Sequence, residues 1–135
     1  MKKILQLSIL LISYYTIAQP IISWQKCIGG ATADESGQSI IKTNDGGSIF
    51  TGSAVTNNGD VSGNHGNGDV WVVKQSSSGV IQWQKCFGGS SGEQGLSITQ
   101  SLDDEYILTG WTGSNNGDVS GNHGGGFFDA WVVKF

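Results

Sequence analysis

The apolar positions of this chain fall in short runs, and the residues between the runs are turn formers. Residues 38–43 carry Ile40 and Ile41 and lead into Asn44-Asp45-Gly46-Gly47. Asp-Gly and Gly-Gly supply the positive φ of a tight hairpin turn at little cost. Residues 48–53 then read as the returning strand. Residues 70–74, Val-Trp-Val-Val-Lys, are strongly β-prone. Ser76-Ser77-Ser78-Gly79 turns the chain. Residues 80–87 come back with Ile81, Trp83 and Lys85 alternating against Val80, Gln82 and Gln84. The pattern predicts four short antiparallel strands. A second set is predicted at residues 96–100, 105–111 and 130–135.

The two sets belong to one repeat. Asn57-Asn58-Gly59-Asp60-Val61-Ser62-Gly63-Asn64-His65-Gly66 returns unchanged at residues 115–124, 58 positions later. Trp24-Gln25-Lys26-Cys27 returns as Trp83-Gln84-Lys85-Cys86 at a spacing of 59, and Trp71-Val72-Val73-Lys74 as Trp131-Val132-Val133-Lys134 at 60. The drift places short indels near residues 90–92 and 125–128, in glycine-rich stretches where loops tolerate a change of length. Four short strands per unit of about 59 residues predict an all-β fold of β-propeller-like antiparallel blades. Unit one covers about residues 29–87 and unit two about 88–135. Unit two ends without a fourth strand, whereas residues 21–28 copy one. The expectation is that this leading segment lies beside residues 130–135 and completes the second sheet. Two blades do not close a ring of the usual four to eight. The reading is therefore an incomplete propeller, a face-to-face pair of blades, or an assembly of several chains.

The first 18 residues read as a secretory signal peptide. Lys2 and Lys3 precede an apolar stretch at residues 4–12, and Thr16-Ile17-Ala18 offers a cleavage site. Cleavage there leaves residues 19–135 as the two-repeat β domain, secreted or held at the cell surface after export through the Sec route. That mature part has five lysines, no arginine and eleven carboxylates, a net charge of −6. Such a balance argues against nucleic acid and against anionic membranes, both of which need clustered cations. A glycan or protein partner and self-association remain as partner classes; unpaired edge strands in glycine-rich sheets favour the last. Cys27 and Cys86 occupy equivalent repeat positions. They read as one small apolar slot filled twice, with an export-permitted disulfide as the second reading.

Three patterns carry a resemblance. They are Gly29-Gly30 with Glu35, Ser39-Ile40 with Thr43 and Asp45-Gly46-Gly47, and the Asn58–Gly66 run followed by Asp69 and Trp71–Lys74. Together with their second copies they resemble the propeller-like repeats of secreted Bacteroidota proteins, cargo of the type IX secretion system. That resemblance implies a propeller-like fold and export, and implies no agreed activity. Such proteins usually carry more repeats and a C-terminal sorting domain. Two repeats and no sorting domain stand here, so a fragment of a longer protein is one expectation. Gly79 and Trp83 also resemble the Gly-x-x-x-Trp blade ending of quinone-dependent dehydrogenase propellers, which is a packing device and implies no cofactor.

Candidate chemistry is sparse. Asn58, Asp60 and Ser62, with Gly63 and then Asp69 at the twelfth place, follow the oxygen spacing of a calcium loop. In the second copy the twelfth place is Phe127, and Asp129 comes two residues later. The competing reading has these side chains capping backbone donors in a long turn. His65 and His123 are expected to bond backbone; two histidines without further ligands make no zinc site. The acidic groups Asp34-Glu35 and Asp103-Asp104-Glu105 read as solvated turn residues. Paired tryptophans 24/83 and 71/131 read as core. Trp111 faces Ser53 in the repeat alignment and is the tryptophan expected to be free for binding. No catalytic residue is assigned. The functional expectation is an exported, non-enzymatic repeat module for structure or binding. The alternative is a fragment of a secreted propeller enzyme acting on glycans.

Overall fold

The computed structural model describes residues 19–135, so the expected signal peptide, residues 1–18, lies outside the described residues. The described chain is all-β. Seven strands form two antiparallel sheets: β1 (Ser36–Lys42), β2 (Ser48–Ala54), β3 (Asp69–Gln75) and β4 (Ile81–Phe87) in the first, and β5 (Glu93–Gln100), β6 (Tyr106–Thr112) and β7 (Asp129–Lys134) in the second. Both are simple meanders, ordered β1-β2-β3-β4 and β5-β6-β7. Each strand follows an apolar run identified above, with bounds that differ by up to three residues. The first pair in each sheet carries the same irregularity, between Gly37 and Ser39 and between Gly95 and Ser97.

The hairpin turns show how local chemistry sets the strand pairing. Gly46 takes φ +83° and donates its N–H to the Thr43 carbonyl. The matching position in the second hairpin is Asp104, the one non-glycine residue with positive φ among those described. Aspartate tolerates this left-handed conformation better than most side chains.

The sheets stack through unlike faces. On the first sheet, Ile49, Thr51, Val70 and Val72 point one way, and Ile40, Phe50, Trp71 and Val73 the other. The first of these faces packs on Ile98, Leu108, Trp131 and Val133 of the second sheet. Those four residues are the repeat counterparts of Ile40, Phe50, Trp71 and Val73. The chain therefore packs head to tail: the back of one sheet lies on the front of the next. Gly95 makes the close approach possible. A Cβ there would stand 2.1 Å from Thr51 Oγ1 and 3.0 Å from a Val70 methyl.

The leading segment corrects the expectation of closure. Residues 21–28 form no strand and do not lie along β7. Instead the Trp24 ring covers Gly79, with Ile28 packed against the Trp71 cluster of the first sheet. A single extended segment has no backbone ladder without a neighbouring strand, and β7 of the same chain is on the far side of the stack. The second sheet keeps three strands.

The interlock makes an asymmetric prediction. Gly95→Ala should lower stability by about 1–3 kcal/mol, the usual cost of overpacking. Gly37→Ala, whose added methyl would find its nearest atom 3.7 Å away, should change stability by less than about 0.5 kcal/mol. Urea unfolding in dilute solution reads both, and equal losses would contradict the packing described.

Candidate functional site

The repeated Asn/Gly segments fold into loops held by their own side chains. Asn57 Oδ1 accepts from the Gly63 N–H at 2.8 Å, and Asn115 Oδ1 from Gly121 at 3.0 Å. Asn64 donates to the Ala54 carbonyl and accepts from Gly66; Asn122 does the same with Thr112 and Gly124. The loops also clamp the glycine pair that opens each unit. Asp60 accepts from Gly29, and Asp118 from Gly88. Asn58 accepts from Ala31, and Asn116 from Ser90.

This places the residues considered for calcium. The Asn58 oxygen and one Asp60 oxygen each receive a backbone N–H, and the Ser62 hydroxyl accepts from Gln84 at 2.6 Å. Asp69 Oδ2 receives both the His65 backbone N–H and its ring Nδ1, at 3.1 and 2.5 Å. The four side chains thus face four different partners. Among the described residues no group of three or more His, Cys, Asp or Glu side chains is placed to share a metal. The histidines bond a carboxylate through the ring, rather than backbone alone as expected.

Two glutamates, one of them in the Asp34-Glu35 pair expected to be solvated, hold the start of each unit. Glu93 is 2% exposed. It accepts from the Gly89 N–H, from the Ser114 N–H and from the Thr112 hydroxyl. Glu35 does the same with Gly30 and Thr56. Glu93 ties its unit's opening glycines to the end of β6 and the loop beyond, and Glu35 ties them to the loop after β2. The signal available in the sequence was Gly-Gly followed five or six residues later by Glu in both units.

Asp69, Gly88 and Glu93 meet where the sheets join. A Cβ on Gly88 would stand 2.5 Å from Glu93 Oε2 and 2.7 Å from Asp69 Oδ1. Asp69 is fully buried, and among the described residues its Oδ1 has no hydrogen-bond partner. Burial, the larger effect, raises its pKa above the ordinary value; the bonds from His65 oppose the rise and the Glu93 charge adds to it. Asp129, its repeat counterpart, makes the same bonds to His123 at the open end of the stack. There the His123 backbone N–H, then its ring, hold the pKa below the ordinary value. One motif thus titrates in opposite directions because one copy is covered.

The remaining candidates sort by exposure. Trp71 is core and Trp131 partly buried, whereas Trp24 and Trp83 are respectively 48% and 37% exposed, contrary to the core reading of that pair. Cys86 is buried and its thiol is pushed up to about 12, chiefly by burial. Cys27 is exposed, so the two thiols fill unlike environments and are not paired. Trp111 is half-buried under Phe128, with ring centroids 4.4 Å apart, and Phe127 and Phe128 are themselves 77% and 62% exposed. An open groove of about 580 Å³ lies on the first sheet's outer face between Trp24, Ile28, Phe50 and Trp71.

No protein-family model matches this chain, and no curated protein aligns with it significantly.

The two aspartates predict opposite pH slopes. A carboxyl whose folded pKa is raised loses stability as pH rises from about 4 through that pKa. One whose folded pKa is lowered contributes stability above about 4 and loses it as pH falls. Between about pH 3 and 7, Asp69→Asn should therefore gain stability relative to the parent as pH rises, and Asp129→Asn should lose it. Urea midpoints across that range check the sign, and parallel slopes would contradict the difference in burial.

Proposed function

We propose that the chain is an exported, non-enzymatic repeat module for structure or binding. In this reading its sheets are propeller-like blades related to the repeats of secreted Bacteroidota proteins. One observation carries it. The polar side chains that recur in both units, Glu35, Asn57, Asn58, Asp60, Asn64 and their counterparts, are engaged in holding loops and glycine pairs in place. Their repetition is explained by shape, since a buried or clamped backbone donor needs a fixed acceptor. Apolar surface is what the module offers to a partner. Trp111 of β6 packs with Phe128 of the loop before β7, next to the exposed Phe127, and aromatic rings of this kind bury much area with few degrees of freedom.

The test uses the purified chain against a panel of soluble glycans, with Trp111→Ala beside it. Binding that weakens about tenfold in the variant, a loss of one aromatic contact, supports a glycan-binding module. Retained binding in the variant moves the contact elsewhere. Catalytic hydrolysis of any polymer in the panel overturns the non-enzymatic reading.

A further inference from the structure

Among the described residues the head-to-tail stacking leaves one face of each kind open in part, since Trp71 and Val73 on the first sheet's outer face are already buried. The first sheet's outer face presents Ile40, 62% exposed, beside Phe50 and the groove at Trp71. The second sheet's outer face presents Ala130, Val132 and Thr109, with Val132 65% exposed, and Trp111 where the first sheet has Ser53. By repeat position these are the faces already joined inside the chain. Val132 corresponds to Val72 and Thr109 to Thr51, while Ile40 corresponds to Ile98 and Phe50 to Leu108. A surface that packs against its complement once offers the same complement again wherever both are uncovered.

The leading segment supplies the second argument. Ile28 packs against the cluster of Trp71 and Phe50, as its counterpart Phe87 packs with Trp131 and Leu108. Trp24 lines grooves that contain Ser48 and Gln75. Their counterparts, Tyr106 and Phe135, lie 6.2 and 6.3 Å from Trp83, ring centre to ring centre. Residues 24–28 therefore stand on the first sheet where β4 stands on the second, but without a β3 beside them. On the second sheet, β7 has no neighbour on its outer edge among the described residues. An unpaired edge is a template for another strand.

We infer that this chain binds a second copy of itself head to tail, its residues 21–28 pairing with β7 of the neighbour as the fourth strand of that sheet. The register follows from β3 and β4. Trp71 pairs with Cys86 and Val73 with Gln84, so Trp131 would pair with Cys27 of the next copy and Val133 with its Gln25. Thr109 would stand on the next copy's Gly37, as Thr51 stands on Gly95. Asp129, Gly29 and Glu35 would meet as Asp69, Gly88 and Glu93 do. The joint is heterologous, so further copies add at the free ends until a ring closes or the supply runs out. This inference names a partner for the module proposed above but stands on packing alone. A chain that stayed monomeric and still bound a glycan would overturn it and leave that reading intact.

Val132→Asp disables one face and Gly37→Val the other, both at positions with room in the single chain. Circular dichroism verifies that each folds. Sedimentation of the 19–135 chain should show growth of oligomers with concentration, and each variant alone should stop at a monomer. An equimolar mixture of the two should form one-to-one pairs that grow no further, since only one competent joint remains. The native thiol gives an independent reading. Alkylation of Cys27 should slow about tenfold or more on assembly, as for a group reached only through opening, while monomeric variants stay fast. A parent chain that is monomeric throughout, a mixture that forms no pairs, or a symmetric dimer that survives both substitutions would overturn the inference.

Discussion

Everything in this fold rests on the seating of the first sheet's Ile49, Val70 and Val72 on the second sheet's Ile98, Leu108, Trp131 and Val133. Among the described residues the second sheet has no other covered face, whereas the first also buries Trp71 and Val73 beneath Val61 and Ile28 on its far side. Three- and four-stranded meanders become independently stable only when an apolar face is packed. The approach is close because Gly95 has no side chain where Thr51 and Val70 arrive. It is also directional, since the face used on one sheet differs from the face used on the next. Direction is what turns a duplicated sequence into a stack with two unlike ends.

The same contact explains why identical motifs behave differently. His65–Asp69 and His123–Asp129 are built from the same residues and the same bonds. Only the first is capped by a following unit, and only there does burial outweigh hydrogen bonding in its effect on the carboxyl. Cys27 and Cys86 tell the same story. The thiol in β4 is buried by the sheet it belongs to, and the thiol in the leading segment has no sheet. Position in the repeat specifies the residue, but position in the stack specifies its environment.

Strand locations were legible because short apolar runs bounded by Asn, Asp and Gly leave few alternatives to a meander. The hairpin at Asp45-Gly46 was equally plain, and its partner at Asp103-Asp104 was recoverable by alignment although it lacks the glycine. The loop function of Asn57, Asn58 and Asp60 was visible as one of two readings. Three things were not legible. Periodicity marks two faces on each strand but cannot say which face of one sheet meets which face of another. The buried roles of Glu35 and Glu93 depend on glycine pairs brought near only by the fold. The resting place of residues 21–28 depends on which end of the stack carries the matching front face, and no local pattern encodes that.

Residue-resolved native-state hydrogen exchange tests the central contact most directly. If the two sheets form one cooperative unit through their unlike faces, the ladder amides of Val70 and Val72 and those of Ile98 and Leu108 share one opening free energy. They then respond to urea with one slope. A second sheet whose amides exchange through a separate, shallower opening, with β3 still protected, would contradict the account.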